Sequence, residues 1–450
     1  MKITFVETSV AAGSKRLLSV VGRENLGGQL VAACVEQAGH EVQYLALGAE
    51  LGAEEIAREA IEAGGDVTVF FPYTFTADVT ARAAKLVRKN CTVVMGGYHF
   101  GMSQFHAEEA LAEGFADYVI MGRGDSALPE LLEKLPSPPP IVSGEATAPF
   151  AELPRPIRRF DLAQDLSVNP LPFHPAHVVP NPTHLYVVAG AIGCSGRCDF
   201  CLSHKICNRP LHREPSDVVD EMAAIAAMNK KCGGGDVAFH FANPLFNASH
   251  EWVLELCRLM AKYGPFASVA MPDARGIDEE MVGAMKSAGF FLSMLGMEFV
   301  SDSVREGRGK RPGSMENAFR LFQEAGILTR AFYMIGRLGM TAADLEQEIR
   351  AIESLPFRAD QLRPSFETPF PGTECWDNLN PGDVSQVDFS HWTIEEPVYQ
   401  TPHSSAEWLR MRDSMIHRYH RSDAQVSHYD RMVTNHPELE GPIEGFLQNQ

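Results

Sequence analysis

Residues 192–204 read IGCSGRCDFCLSH. The stretch holds three cysteines at spacings of four and then three residues: Cys194, Cys198 and Cys201. A structural zinc site normally takes four protein ligands, often from CxxC pairs, so a lone CxxxCxxC fits zinc poorly. Three thiolates on a cluster of four irons instead leave one iron open to a ligand that is not protein. Two alternatives remain: buried structural cysteines, or zinc with Cys207 or His204 as the fourth ligand.

The chain around this stretch alternates β-rich runs with helical stretches. Six β/α units from about residue 184 to 375 predict a partial (β/α)6 or full barrel, and the cysteines follow its first strand, where active-site loops lie. From residue 1 to about 135, ITFVE, EVQYLAL, DVTVFFPYT, CTVVMGGYH and DYVIMGRG predict a doubly wound, Rossmann-like parallel sheet. Residues 136–183 are Pro-rich and predict a linker, and residues 376–450 predict a helical cap. The predicted fold class is α/β.

Composition restricts the class of protein. The 450 residues leave room for two or three domains, and 45% hydrophobic with 22% charged residues is typical of a soluble globular protein. The formal net charge of −19 argues against nucleic acid and suits a polar or cationic small substrate. MKITFVETSV lacks the features of a signal peptide, and no window approaches ~20 apolar residues, so we expect a cytoplasmic protein without membrane contact. Nine cysteines at irregular spacings indicate reduced thiols.

The motif CSGRCDFC, with Phe200 before the last cysteine, resembles the cluster motif of radical S-adenosylmethionine (SAM) enzymes. Residues 1–375 resemble the branch of that family with a cobalamin (B12)-binding domain, through VVMGGYH, DYVIMGRGDSALPELL, ELPRPIRRFDL, LGMEFVS and TPFPGT. The resemblance implies that Cys194, Cys198 and Cys201 ligate a [4Fe-4S] cluster whose open iron chelates the amino and carboxylate groups of SAM. An electron from a donor such as flavodoxin or ferredoxin then cleaves SAM to methionine and a 5′-deoxyadenosyl radical, which abstracts hydrogen from an unactivated carbon.

Residues at the ends of the predicted barrel strands are candidates for SAM contacts. They are Asn243 after the second strand, Glu298 and Ser301 after the fourth, and Gly336 and Arg337 after the fifth. A capping or surface role is the alternative for each. Gly336 is the strongest candidate, because a turn pressed against a ligand favours a residue without Cβ. The chain has GRLGMT where relatives have a G-L-P-G-E-T turn, so Arg337 stands at the position of its Leu.

The same resemblance makes cobalamin a candidate cofactor of the first domain. The D-x-H-x-x-G motif that supplies a histidine to cobalt in some cobalamin enzymes is absent, although members of this family can hold the corrin without that histidine. Thr74, Gly97 and His99 lie in turns after predicted strands and are the candidates for contact with the corrin. The alternative is a sheet domain that has lost its ligand and serves as a scaffold.

The resemblance leaves two reactions open. By a slight preference we expect radical dehydration of a diol on an aminoglycoside-type sugar in antibiotic biosynthesis, with an NAD(P)H-dependent reductase as partner. The short tail, the missing cobalt motif and the acidic charge favour it. The alternative is cobalamin-dependent C-methyl transfer to a small molecule. A non-catalytic cobalamin- or zinc-binding protein is an alternative of another class, and it leaves the open-iron cysteine pattern without a purpose.

Polar residues near the predicted strand ends are candidates for the catalytic pocket: His204, Glu214, His240, Asp273 and Glu367. A general base must reach the proton that it removes, so a core or solvent-facing role is the alternative for each. In the tail, His417 and His420 share one helix face. Two ligands are too few for a metal site, and we interpret this pair as a solvated helix end.

Overall fold

The computed structural model describes residues 1–9, 25–144, 150–156, 164–165, 182–264, 266–300 and 312–448. The chain forms two compact units, each assembled from separate segments. The first unit comprises Met1–Leu162, Gly193–Leu211 and Thr368–Thr393, and the second comprises Ala163–Ile192, His212–Glu367 and Ile394–Gln450. The cysteine-bearing segment therefore belongs to the first unit, although it follows a strand of the second. The domain boundaries that we draw from the sequence stay predictions.

The first unit is built on a six-stranded sheet in the order β2-β1-β3-β4-β5-β6. All neighbouring strands in it are parallel. The strands are β1 (Lys2–Ser9), β2 (Glu41–Gly48), β3 (Val67–Phe70), β4 (Thr92–Met95), β5 (Tyr118–Gly122) and β6 (Ile141–Gly144). The strands are rich in Val and Ile and β3 is buried along its length, as strands covered on both faces are. The predicted doubly wound sheet is confirmed.

Helices cover both faces of this sheet. In chain order they are α1 (Leu26–Gln37), α2 (Gly52–Ala63), α3 (Ala77–Val87), α4 (Gly97–Phe100), α5 (Gln104–Ala112), α6 (Gly124–Lys134) and α7 (Ser203–Ile206), with α13 (Glu374–Asp377) added from the later segment. One core contains apolar residues of α2, α3 and α5, and the other contains those of α1 and α6. The chain changes winding direction at β1, so a ligand crevice is expected beyond the carboxyl ends of β1 and β3.

The predicted linker is wrong where strands form within it. Strand β6 lies within 136–183 and pairs in parallel with β5, because the run Ile141–Gly144 is free of proline and begins with two β-branched residues. A second strand in this region, β7 (Gln164–Asp165), pairs antiparallel with β8 of the second unit. Residues 145–149, 157–163 and 166–181 of the predicted linker lie outside the described residues.

The second unit carries a seven-stranded sheet in the order β15-β14-β13-β12-β11-β8-β7. Six of its strands run parallel in chain order: β8 (Pro182–Val188), β11 (Asp236–Phe241), β12 (Ala267–Ala270), β13 (Phe290–Glu298), β14 (Leu328–Ile335) and β15 (Gln361–Phe366). Two short strands, β9 (Ala191–Ile192) and β10 (Leu211–His212), form a separate two-stranded sheet. These sequential parallel strands with intervening helices form the partial β/α barrel that the sequence predicts.

The helices between these strands are α8 (Pro215–Lys231), α9 (His250–Tyr263), α10 (Glu279–Ser287), α11 (Pro312–Glu324) and α12 (Ala342–Glu353). Three more form the tail: α14 (Ser405–His420), α15 (Asp423–Asn435) and α16 (Glu440–Gln448). Within the residues that the structure describes, no helix is long and apolar enough to cross a membrane.

The interpretation of His417 and His420 as a solvated helix end is wrong for His420. His420 is buried, its Nδ1 lies 2.9 Å from the Tyr429 hydroxyl, and its Nε2 accepts a hydrogen bond from the backbone N–H of Leu362. These two partners lie on α15 and β15, so only packing of α14 against them makes the site buried. His417 is exposed, as predicted.

Candidate functional site

The loop with the three cysteines is closed at its base by a glycine. Gly193 has φ +79°, and a Cβ there would lie 2.7 Å from the Cys207 Cβ and against the Arg209 carbonyl oxygen. The Cys194 N–H donates to the Cys207 carbonyl oxygen at 3.1 Å. A larger residue at 193 would force the two arms apart, so the glycine is what allows the loop to return on itself.

Backbone amides support the thiols of this loop, which are not in disulfides. The Gly196 N–H donates to Cys194 Sγ at 3.2 Å, and the Ser203 N–H donates to Cys201 Sγ at 3.5 Å. Cys198 is exposed, and the sulfurs of Cys194 and Cys198 both approach the position that a Cβ on Gly196 would occupy. Amide donors favour the thiolate over the thiol. Accessible thiols that receive amide hydrogen bonds suit iron ligation, and ligation of a cluster by the three cysteines stays a prediction.

The zinc alternative depends on Cys207 or His204. Cys207 is buried beside Gly193, and His204 is half-buried on α7. Across the described ranges, no three His, Cys, Asp or Glu side chains converge on a point where a single metal ion could bind. Burial lowers the pKa of His204, with further lowering by Lys205 and Arg197.

An aromatic stack stands next to the cysteine loop. Tyr73 stacks on Phe75 and on Tyr98, with ring centroids 5.4 and 5.6 Å apart. These residues follow the carboxyl ends of β3 and β4, where the ligand crevice is expected. Tyr98 is 40% exposed, yet burial raises the pKa of its phenol, and the neighbouring Cys201 adds to that rise. The stack therefore lies at the carboxyl edge of the first sheet, in the same unit as the cysteine loop.

The three predicted corrin contacts lie behind this edge. Thr74 is buried, and Gly97 has φ +78° with its missing Cβ 2.8 Å from the Phe71 backbone, so packing alone requires a glycine there. His99 is only 2% exposed, with its ring within 4.7 Å of the rings of Phe100, His106 and Phe389. Burial and then His106 lower the pKa of His99 to about 2, so the ring is neutral. Corrin contact by these residues stays a prediction.

Three buried hydroxyl groups meet at the end of β1, and two of them, those of Thr76 and Thr80, are not predicted from the sequence. Thr8 Oγ1 lies 2.7 Å from Thr80 Oγ1 and donates to Thr76 Oγ1 at 3.2 Å. The three threonines lie in β1, in the turn before α3 and in α3, beside the expected crevice. No spacing in the sequence marks them, because they are up to 72 residues apart.

Among the predicted SAM contacts, Asn243 holds a turn. Its Oδ1 accepts hydrogen bonds from the N–H groups of Gly190 and Ala191 at 2.8 and 3.1 Å, directly after β8. The side chain is fully buried, and its Nδ2 has no hydrogen-bond partner among the described residues. Asn243 thus positions the chain that leads to the cysteines and keeps one donor to spare.

The other predicted SAM contacts lie on constrained backbone. Glu298 ends β13 with φ +55°, the one positive value for a non-glycine residue in the described part of the chain. Gly336 has φ +65°, and a Cβ there would lie 2.7 Å from the Phe366 ring. The Arg337 guanidinium lies 5.5 Å from the centre of the Phe299 ring. Ser301 lies outside the described residues.

The five catalytic candidates differ in burial and in hydrogen-bond partners. Glu214 is exposed before α8, and the Asp273 carboxylate already binds Arg275 through two hydrogen bonds of 2.9 and 3.0 Å. His204 belongs to the first unit, whereas His240 and Glu367 are buried in the second. Glu367 accepts a hydrogen bond from the Tyr399 hydroxyl at 3.3 Å.

Two buried arginines of the second unit were not among the sequence candidates. Arg213 pairs with Asp217 and Glu221 on α8, while Arg330 on β14 is 1% exposed and has no carboxylate partner in the described part of the chain. Arg213 is followed four and eight residues later by its acids, a helical spacing that could have revealed it. Nothing in the sequence around Arg330 signals its burial.

Comparison with known proteins finds two family matches along the chain. Residues 23–132 match the B12 binding domain, and residues 190–352 match the Radical SAM superfamily. Together these matches contain the aromatic stack, the three cysteines and the carboxyl ends of β11, β12, β13 and β14.

Curated relatives and solved structures are similar over most of the chain. The anaerobic magnesium-protoporphyrin IX monomethyl ester cyclase of Rubrivivax gelatinosus is 22% identical over 84% of this chain, and the match spans 66% of that protein, slightly less than two thirds of its length. The hopanoid C-3 methylase of Methylococcus capsulatus is 25% identical over 89% of this chain and 76% of its own length. The radical SAM methyltransferase TsrM of Kitasatospora setae, solved with cobalamin and a [4Fe-4S] cluster, aligns with a TM-score of 0.66 at 16% identity. That alignment covers 93% of this chain and 90% of TsrM, and it shows the shared fold.

Proposed function

Since the chain combines a B12-binding domain with a radical SAM domain, we propose that it is a cobalamin-dependent enzyme that transfers a methyl group to an unactivated carbon of a small molecule. A radical SAM domain implies a [4Fe-4S] cluster and SAM, and the B12-binding domain supports cobalamin as the third cofactor. One observation carries the proposal: the cysteine loop belongs to the same compact unit as the B12-type sheet.

The preference for dehydration of an aminoglycoside-type diol finds no support. The curated relatives are named as a cyclase and a methylase, and the structural relative is named as a methyltransferase. The missing D-x-H-x-x-G motif loses its weight as well, because residues 23–132 match a B12 binding domain without it. The methyltransferase alternative is therefore the one we carry forward.

The chain's own residues have separable tasks in this proposal. Cys194, Cys198 and Cys201 would hold the cluster, with the Gly196 and Ser203 amides stabilising two of the thiolates. When bound, the three cofactors supply the one-electron cleavage of SAM and the methyl group. Asn243 holds the turn before the cysteines and offers its Nδ2 as a donor.

Two of the five catalytic candidates remain suited to contact a substrate. His240 and Glu367 are buried in the second unit, whereas Glu214 faces solvent and Asp273 is paired with Arg275. Burial and then Arg330 lower the pKa of His240 to about 4, so its ring is neutral at pH 7. A neutral imidazole offers one donor and one acceptor without bringing charge to the pocket.

The test begins with metal content. Protein purified without oxygen and reconstituted with iron, sulfide and hydroxocobalamin should hold about four irons and about one cobalt per chain. With a reductant and SAM, it should release 5′-deoxyadenosine, and with substrate it should also release S-adenosylhomocysteine, the product of methyl donation. Cys198→Ala should lose iron and SAM cleavage, while the exposed Cys232→Ala, outside the loop, should keep both.

Other outcomes would redirect the proposal. Iron without cobalt, and 5′-deoxyadenosine without S-adenosylhomocysteine, would point back to a corrin-free reaction such as dehydration. Zinc in place of iron would remove the basis for radical chemistry altogether, and Cys198→Ala would then lower the stability of the fold.

A further inference from the structure

Arg330 is a buried cation that has no carboxylate partner within the described ranges. It is one of three arginines that are buried in the described part of the chain, and the other two, Arg123 and Arg213, each pair with carboxylates. Its Nε donates to Gln361 Oε1, its Nη1 lies 3.9 Å from Met294 Sδ, and its Nη2 has no partner among the described residues. A buried charge that lacks a partner is costly, so its retention calls for a ligand.

Strand register places Arg330 on a face of the second sheet that we call the inner face, defined by His240, Met294, Arg330 and Gln361. Arg330 is in register with Met294 on β13 and with Gln361 on β15, and paired residues of neighbouring strands point to the same side of a sheet. His240 on β11 lies on the same face. It pairs with Val269 on β12, which pairs with Leu292 on β13, and Leu292 and Met294 are two residues apart and so point to the same side.

The opposite face of β14 is covered by helices and loops. The hydroxyl of Tyr333 donates to Glu348 on α12, and the Thr329 hydroxyl donates to Asp360 at 2.6 Å. On the inner face, by contrast, Phe332 and Met334 remain half-buried toward the carboxyl end of the strand. Phe332 and Met334 thus give this face an accessible apolar surface beyond Arg330, which is itself 1% exposed.

His240 adds neutral hydrogen-bonding capacity to this face. It is 4% exposed, and neither of its ring nitrogens has a partner in the part of the chain that the structure describes. Its pKa is lowered by burial and by the charge of Arg330, so it does not compete with Arg330 for an anion's counter-charge. Arg363, the next arginine along β15, is already paired with Glu395. Of these two arginines, Arg330 is therefore the one without a carboxylate partner among the described residues.

We propose that Arg330 and His240 form a binding subsite for a carboxylate group of the substrate. The Arg330 Nη2 and the His240 ring N–H would donate to the two carboxylate oxygens, as paired nitrogen donors commonly do. That the carboxylate belongs to a substrate depends on the proposed function, whereas the anion site itself depends only on residues of the inner face. The substrate class is then a small molecule with an apolar body, to lie against Phe332 and Met334, and one acidic end.

The position of Arg330 along β14 distinguishes this carboxylate subsite from the predicted site of the SAM carboxylate. Arg330 precedes the predicted SAM contact Gly336 by six residues, about 20 Å along a strand. Groups that bind beyond the carboxyl end of β14 lie far from this guanidinium. A substrate that extends from the carboxyl end of β14 along the inner face would reach the Arg330 guanidinium.

Binding of a simple carboxylate to the reconstituted full-length protein tests the proposal without turnover. We choose benzoate as the probe, benzamide as its neutral counterpart and S-adenosylhomocysteine as the SAM-type ligand, with affinities from calorimetry. Benzoate should bind the unchanged protein and bind Arg330→Met at least about tenfold more weakly, because a charged hydrogen bond is lost. Arg330→Lys should retain part of the affinity, and His240→Gln should lose less than Arg330→Met.

Tyr333→Phe is the matched control, since it alters the opposite face of the same strand. Benzamide should bind weakly and equally to all variants, and the melting temperature of Arg330→Met should be unchanged or higher, because an uncompensated charge has been removed. Equal benzoate affinity in Arg330→Met, with a lower melting temperature, would make Arg330 a structural residue. Weakened S-adenosylhomocysteine with unchanged benzoate would assign the anion to SAM. Failure of the cobalt or SAM-cleavage tests would leave the benzoate result standing.

Discussion

The cysteine loop of the first unit and the inner face of the second sheet hold their polar groups in opposite ways. In the loop, accessible sulfurs receive hydrogen bonds from amides only two residues away along the chain, such as Gly196 to Cys194. On the inner face, Arg330 and His240 are buried and retain polar atoms without partners in the described structure. A site made by local geometry can be read from a motif, whereas a site made by register between distant strands cannot.

The largest expected effect is the loss of iron binding when one cysteine of the loop is replaced. Cys198→Ala should abolish iron binding and SAM cleavage, because three thiolates are needed to hold the cluster. Its free energy of unfolding in the metal-free state should stay unchanged, since Cys198 is exposed. Iron content and 5′-deoxyadenosine release measure the first effect, and urea unfolding measures the second. A destabilised metal-free variant would mean that the loop is a structural element.

Next in size is the contrast between two buried arginines. Arg213→Met leaves Glu221 buried without its cation and should cost about 3–5 kcal/mol of unfolding free energy. Arg330→Met leaves no carboxylate unpaired in the described structure, so it should leave the unfolding free energy unchanged or raise it. Urea unfolding of both variants side by side decides the matter. Equal losses would show that Arg330 is bound as tightly into the fold as Arg213.

A pH effect should distinguish the inner face from the surface. The pKa of His240 is about 4 in the fold and about 6.5 in the unfolded chain, so only the unfolded chain takes up a proton between these values. His240 therefore contributes stability above pH 6.5 that is lost as pH falls toward 4. Between pH 7.5 and 5 the loss should be about 2 kcal/mol larger in the unchanged protein than in His240→Leu.

The exposed His417 supplies the control for this pH effect. His417→Gln should leave the pH dependence as it is, because its ring is in solvent in both states. The other buried histidines are shared by all three proteins and cancel in the difference. If the unfolding free energy of His240→Leu changes with pH as steeply as that of the unchanged protein, His240 must have a partner that offsets the effect of burial on its pKa.

The smallest effect concerns the turn after β14. Gly336→Ala should cost about 1–2 kcal/mol for the left-handed backbone, and further for the Phe366 ring that must move. Gly339→Ala is the matched control, because it has φ +76° with nothing near its missing Cβ. If Gly336 also lines the SAM site, Gly336→Ala alone should weaken S-adenosylhomocysteine binding. Equal affinity in both variants would limit Gly336 to packing.

The agreement between sequence and structure follows the range of the interactions. The order of strands and helices and the six β/α units depend on patterns within about 30 residues, and these predictions are confirmed where the structure describes them. Strand β6 was missed because prolines surround it, and His420 because its partners lie on α15 and β15. His99 was expected at a ligand edge, but the ring of Phe389, nearly three hundred residues away, covers it.

The amino-acid sequence by itself determined that Cys194, Cys198 and Cys201 share one short loop, because they lie within eight positions of the chain. It also determined the two β/α layers, through periodic apolar runs. Only the tertiary structure decided which polar groups have partners. Arg330 and His240 come from strands 90 residues apart, and their missing partners are a property of the register and packing of the whole second sheet. Burial is a sum over distant neighbours, and no local pattern contains it.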